Sequence, residues 1–369
     1  MSASTKPGGQ IDGYLLILVI GLSLFGLMMV ASSSAVIAER FRGDAYYFFK
    51  HQLLFGHLIG FLMMLLGILV PYRAWKRFSF VGLIGSIALL VMVFIPSLQV
   101  ASGGAARWIG LGPITIQPSE ITKLAFIIYM AALLESKSDK LNDFKQGVVP
   151  FLVVMLIISV LILLQPDLGT LISIVLIGGA MVFAAGYRIK HLLLLAGGGV
   201  AVFAVLINTA AYRLNRIMVY LHPELDPQGI GYQINQALMA VATGGVWGLG
   251  FGRSRQKYQY LPEPAGDSIF AIISEELGLV RTSFVVIAFA IIGYRGLMIA
   301  RDAPDVFGKL VAVGISVWIV SQAFINMAST MGVTPMTGIP LPFISYGGSA
   351  MAMMMFAVGI LLNISKYRQ

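Results

Sequence analysis

Apolar stretches near the length of a bilayer span recur down this chain, and no other feature limits its fold so sharply. Leu15–Val30 and Leu310–Ile325 are two of them. A helix needs about 20 consecutive apolar residues to cross a bilayer. A water-soluble fold is excluded on surface grounds: 58% of the 369 residues are hydrophobic and only 11% charged, against about 25% charged in an ordinary soluble domain. The chain is therefore expected to be an all-α polytopic membrane protein forming a single membrane-embedded domain over 1–369.

Ten spans are expected, at approximately 12–35, 46–70, 78–97, 119–135, 147–165, 167–186, 190–208, 268–294, 305–330 and 345–364. The first is expected to stay uncleaved, because its apolar stretch is longer than a signal peptide's and Lys6 is the only positive charge before it. The net charge of +9 is topological and calls for no nucleic acid, since Lys and Arg collect in short cytoplasmic loops. Arg73, Lys76 and Arg77, then Lys137, Lys140 and Lys145, then Arg188 and Lys190, then Arg295, Arg301 and Lys309, and finally Lys366 and Arg368 all fall on one side if both termini are cytoplasmic. The opposite side receives Gly103–Ser119, Gln165–Asp167, Met331–Gly348 and a large extracytoplasmic loop, 209–267, between spans seven and eight. Within that loop Gln233–Val246 has the pattern of an interfacial or re-entrant helix.

The chemically capable residues gather on this second side. Pro118 and Ser119 suit a helix start. Glu120 and Lys123, three residues apart, share a face just inside the fourth span, where an ion pair is expensive and usually faces a cavity or partner helix. Asp167 follows Pro166 and is placed either to cap the next helix or to serve a site. Arg213, Arg216, Arg253, Arg255 and Lys257 lie in the large loop beside flexible Gly-rich backbone, a composition suited to a diphosphate or to anionic lipid in general. Asp267 is the lone acid where the chain re-enters the membrane. On a straight helix Arg281 would lie roughly 21 Å further along, deep in the bilayer. Residues 332–349 hold three prolines and several glycines, so they cannot form one helix, and irregular backbone at membrane depth survives only when buried in protein or lining a wet cavity. The chain has no cysteine, and His51, His57, His191 and His222 show no metal-ligand spacing.

Several of these runs, in this order, resemble the SEDS family of cell-wall proteins. They are Arg107-Trp108 to Lys123, Gln165-Pro166-Asp167-Leu168-Gly169-Thr170, Gly231-Tyr232-Gln233, Gly250 to Lys257, Leu261-Pro262-Glu263, Glu275-Glu276-Leu277-Gly278, and Pro340 to Ser349. The spacing of Gly250, Gly252, Ser254, Gln256 and Lys257 is nearer the division branch than the elongation branch. The resemblance implies a ten-span peptidoglycan glycosyltransferase in the bacterial cytoplasmic membrane, using lipid II and releasing undecaprenyl diphosphate. It also implies a class B penicillin-binding protein, the transpeptidase, and other division proteins as partners. Asp267 occupies the position of the family's essential aspartate. Its neighbours depart from the family pattern, as do the single Arg at Arg107 and the basic Arg281 where a small residue is usual.

The resemblance and the residues together give a specific expectation. A diphosphate is already a good leaving group, so the reaction needs a base for the acceptor hydroxyl and no general acid. Asp267 is expected as that base, with inversion at the sugar carbon. Arg213, Arg216, Arg255 and Lys257 are expected to bind diphosphate, and Glu120, Lys123, Asp167 and Ser345 to line the polar cavity. No resident cofactor is expected; a divalent cation, Mg or Mn, is left open. A lipid II flippase and a non-catalytic division scaffold are the competing expectations, because both would use the same headgroup contacts.

Overall fold

The computed structural model describes residues 9–102, 105–111, 114–140, 143–188, 229–258 and 260–368, with short pieces between 190 and 222. The polytopic all-helical expectation is met. Seven helices are long and apolar enough to cross a membrane: α1 (Gly13–Arg42), α2 (Tyr47–Leu69), α3 (Tyr72–Met92), α5 (Phe144–Leu164), α8 (Ile269–Arg301), α9 (Val306–Thr330) and α10 (Gly348–Ser365). Two helices complete the expected spans that fall among the described residues. They are α4 (Pro118–Ser136), which carries Glu120 and Lys123, and the shorter α6 (Leu168–Ala184). Most of the expected span 190–208 lies outside the described residues.

Local signals explain the boundaries. The Asp12 carboxylate accepts the Leu15 amide at 3.0 Å and starts α1, a side-chain cap for an otherwise orphaned N–H. Gly43, in the left-handed region, ends it. Pro71 separates α2 from α3, and α3 begins at once, so Arg73, Lys76 and Arg77 lie in its first turns and not in a loop as expected. Proline tolerates that position because its missing N–H would be unpaired there anyway. Four of the basic residues make ion pairs that tie helix ends together. Arg295 and Arg368 both pair with Asp12, Arg73 with Asp305, and Lys76 with Glu135.

Two features depart from the expectation. Three strands among otherwise helical elements form an antiparallel sheet, β1 (Gln99–Ser102), β2 (Ala105–Leu111) and β3 (Ile114–Ile116). Val100 pairs with Trp108, and Ile109 with Ile116. The second departure is inside α8. Gly278 has φ 73° and ψ 175°, which breaks the helix into two. The freed backbone groups pair with the preceding loop: Leu249 N–H with Glu275 O, Gly250 N–H with Glu276 O, and Leu279 N–H with Gly245 O, at 2.9–3.0 Å. The continuous helix beyond the break, from Leu279 to Arg301, is about 34 Å long at 1.5 Å per residue, close to the hydrocarbon thickness of a bilayer. Arg281 therefore sits in its first turn, exposed, with one N–H on the Trp247 carbonyl at 3.3 Å. The great depth inferred from a straight helix does not hold.

Within 209–267, a helix α7 (Ile230–Gly244) covers most of the expected 233–246. It buries Ile234, Ala237 and Ala240 and leaves Leu238 and Met239 exposed, and it packs on α8. Residues 332–347 are irregular, and the chain becomes buried toward their second half, with Leu341, Phe343 and Ile344 almost wholly removed from solvent while Val333 is exposed.

Candidate active site around Asp267

Asp267 closes the loop that leads into α8. Its position is fixed through the main chain. Asn326 of α9 donates its amide to the Asp267 carbonyl and to the Ile339 carbonyl, both at 2.8 Å. Just before it, the Ser345 hydroxyl donates to the Gly266 carbonyl at 2.7 Å, and the Tyr346 amide donates to the Ala265 carbonyl at 2.8 Å. The carboxylate itself is lightly held, with the Ser268 hydroxyl at 3.4 Å. The side chain is partly buried. This burial, and then the nearby charge of Glu263, push its pKa up to about 6, against weaker opposing hydrogen bonds from Ser268 and Gln233. Desolvation and like charge both disfavour the ionised acid.

One helical turn from Asn326, Gln322 joins this loop to a buried ion pair. Lys123 Nζ lies 2.7 Å from Glu120 and 2.8 Å from Gln322 Oε1. Gln322 also accepts the Trp318 indole N–H at 2.9 Å and donates to the Pro340 carbonyl at 3.0 Å. Glu120 and Lys123 are each 1% exposed, and Glu120 Oε2 has no hydrogen-bond partner. Gln322 and Asn326 were not anticipated from the sequence. Their signal was there: two amides at i and i+4 in an apolar span share a face, and polar side chains at membrane depth are usually functional. The cavity beside them, lined by Gln322, Leu341, Ser345 and Met354, holds about 10 Å³. That is at or below the room one water needs. A roomier cavity of about 360 Å³ lies between α7 and α8, lined by Val241, Phe270, Thr282 and Val286. It is apolar and contains none of the expected site residues.

The other expected residues divide. Asp167 caps α6, accepting the Thr170 amide at 3.1 Å and its hydroxyl at 2.8 Å. It lies near the 337–339 segment, since a methyl placed on Gly169 would come within 2.5 Å of Ile339 Cγ2. Arg107 donates to the Gln165 and Pro166 carbonyls and so braces the same turn. Ser345 uses its hydroxyl on main chain, accepting the Leu341 amide at 2.7 Å while donating to Gly266. Lys257, expected on diphosphate, is buried instead against Glu276 at 3.0 Å, with the Gly252 carbonyl at 2.7 Å and the Ser32 hydroxyl at 3.2 Å. Glu276 in turn accepts the Ser32 hydroxyl and the Gly252 amide. Its neighbour Glu275 accepts the Ser254 hydroxyl and the Arg255 amide. These two acids hold the 250–257 loop. The Arg253 and Arg255 side chains are exposed. Arg213 and Arg216 lie outside the described residues. Among the described residues no three His, Asp or Glu side chains come together as a metal site would require.

Comparison with known proteins places these features. The model of the FtsW, RodA and SpoVE family, described as cell cycle protein, matches residues 13–369. The chain is 44% identical to stage V sporulation protein E of Bacillus subtilis, over 96% of this chain and 97% of that protein. It is 40% identical to the probable peptidoglycan glycosyltransferase FtsW of Geobacter sulfurreducens, over 99% and 98%. A solved structure of a peptidoglycan synthase complex, concerned with coordinating polymerization and crosslinking, superposes with a TM-score of 0.79 at 25% identity, covering 96% of this chain and 97% of the other. The rod shape determining protein RodA of Thermus thermophilus shares the fold, with a TM-score of 0.71 at 22% identity and 97% coverage of both.

Proposed function

Because the chain belongs to the FtsW, RodA and SpoVE family of cell cycle proteins, we propose that it is a peptidoglycan glycosyltransferase that joins lipid II units into glycan strands, with Asp267 as general base. The acceptor's 4-hydroxyl attacks the donor sugar at its anomeric carbon. The new glycosidic bond forms as the bond to undecaprenyl diphosphate breaks, and the hydroxyl proton passes to Asp267. Attack opposite the leaving group inverts the carbon.

The observation that carries this reading is the state of Asp267: a carboxylate anchored by its main chain, lightly bonded at its side chain, with a pKa near 6. Such a base is about a hundredfold stronger than an ordinary aspartate yet mostly ionised at neutral pH, which favours proton abstraction. Hydrolysis of a glycoside needs two carboxylates because its leaving group is poor; a diphosphate leaves without an acid. Arg255, Arg213 and Arg216 are proposed to meet the diphosphate by charge-assisted hydrogen bonds. Lys257 is assigned to the Glu276 lock, and Glu120, Lys123 and Asp167 to the polar centre behind the base. The protein would sit in the bacterial cytoplasmic membrane with both termini inside and act in cell division with a class B penicillin-binding protein.

The test is polymerisation of lipid II by the purified protein with its transpeptidase partner. Wild type forms glycan polymer and Asp267→Asn forms none. Full polymerisation by Asp267→Asn removes Asp267 as the base. Absence of polymer from wild type, together with movement of lipid II between leaflets, makes the protein a flippase.

A further inference from the structure

The amide of Gln52 stands fully buried in an apolar span, 0% exposed, where an unpaired polar group costs several kcal/mol. Both its ends are used. Oε1 accepts the Gly347 amide at 3.0 Å, and Nε2 faces the Ser345 carbonyl at 3.4 Å. The neighbouring His51 ring lies 3.0 Å from the Tyr346 hydroxyl. Residues 345–347 are thus held on one side by α2. On the other side two of these residues hold the loop of the base, through Ser345 to Gly266 and Tyr346 to Ala265.

The backbone of α2 is specialised at this point. Gln52–Leu58 is a π-helical turn, a form rare in helices and frequent at functional sites. His57 stabilises it: one ring nitrogen lies 3.1 Å from the carbonyl of Gln52, five residues earlier, and the other 3.0 Å from the Ser23 carbonyl of α1. Gly56 leaves room for the amide, since a methyl there would meet Gln52 Cδ at 3.0 Å. A plain packing role for Gln52 would not require its amide to bracket the tripeptide whose Ser345 and Tyr346 grip the residues just before Asp267.

We propose that Gln52 is a positioning residue for glycosyl transfer, fixing the direction of the Asp267 carboxylate through residues 345–347. This rests on Asp267 being the base. With its own carboxylate lightly bonded, Asp267 takes its orientation from the backbone at 265–267, which Asn326 holds at Asp267 itself and the Gln52 clamp holds at 265–266 through Ser345 and Tyr346.

The experiment compares Gln52→Met, Ser345→Ala and Asp267→Asn in full-length protein with its partner, measuring kcat, KM for lipid II and the rate from pH 5 to 8. Gln52→Met keeps length and apolar fit while removing both polar ends. The expected result is a kcat lowered about tenfold or more, as for loss of about 1.4 kcal/mol of positioning, with KM within about twofold. The acid limb also moves to lower pH as the loosened loop admits water to Asp267. Ser345→Ala, which cuts the same path on the far side of the tripeptide, shifts the limb in the same direction and decides the matter if Gln52→Met does not fold. A merely structural role would reduce the amount of active protein without moving the limb. If Asp267→Asn is inactive while Ser345→Ala and any folded Gln52→Met keep the wild-type kcat and limb, the positioning role is wrong. If Asp267→Asn polymerises at the wild-type rate, the assignment of the base is wrong instead.

Discussion

Asn326 holds Asp267 by its main-chain carbonyl at 2.8 Å and not by its carboxylate. The same amide nitrogen donates to Ile339, so one side chain ties the base's loop to the proline-broken segment. Asn326→Leu leaves two buried carbonyls short of a donor, at about 1–3 kcal/mol each, and should lower the polymerisation rate at least tenfold. Asn326→Asp has the same shape but no donor, so it should be no better. Rates with lipid II check both, and a near-wild-type Asn326→Asp would show that shape alone suffices.

The rate should depend on pH through Asp267. Burial first, and Glu263 second, raise its pKa to about 6, and the role proposed for it needs the deprotonated form. The rate should be level above about pH 7 and fall about tenfold per unit well below 6. Glu263→Gln removes the second cause and should move the midpoint down. Stability runs the other way. A carboxyl with a raised folded-state pKa favours the fold when protonated, and that advantage is lost as pH rises through about 6. Asp267→Asn should therefore raise the unfolding temperature at pH 7.5, with the gain fading toward pH 5.

Lys257 and Glu276 form a buried pair, 4% and 0% exposed. Removing one partner strands the other charge, at about 3–5 kcal/mol. Lys257→Met should lower the unfolding temperature in detergent by several degrees, and adding Glu276→Gln should recover most of it. A Lys257→Met protein of normal stability but raised KM would return Lys257 to the substrate.

Gly278 admits no side chain. A methyl there would lie 2.2 Å from the Gly248 nitrogen, and the residue has positive φ. Gly278→Ala should cost several kcal/mol by overlap and strain, seen as loss of folded protein on gel filtration.

The spans were legible because apolar length is a property of each segment alone. The irregular nature of 332–349 was legible for the same reason, since three prolines forbid a helix whatever surrounds them. What the sequence withheld depends on partners far away in the chain. Gly278 sits among helix-forming residues, and its break becomes favourable only because Gly245 and Leu249 take up the freed backbone groups; the depth of Arg281 was misjudged with it. Lys257 looks like any loop cation until Glu276, nineteen residues on, is folded against it. Asp167 could have been cap or site from its neighbours, and its bonds to Thr170 show the cap. The sheet of β1, β2 and β3 is set by pairing between strands, which the Gly-rich composition of that stretch did not announce.

The grip of Ser345 and Tyr346 on Gly266 and Ala265 has a consequence for synthesis if Asp267 is the base. A ribosome delivers residues 265–267 about eighty residues before the tripeptide that seats them. Until 345–347 enter the membrane, the loop of the base lacks two of its main-chain anchors. The nascent chain should therefore stay inert toward lipid II until insertion is almost complete, which protects a membrane crowded with substrate from half-made enzyme.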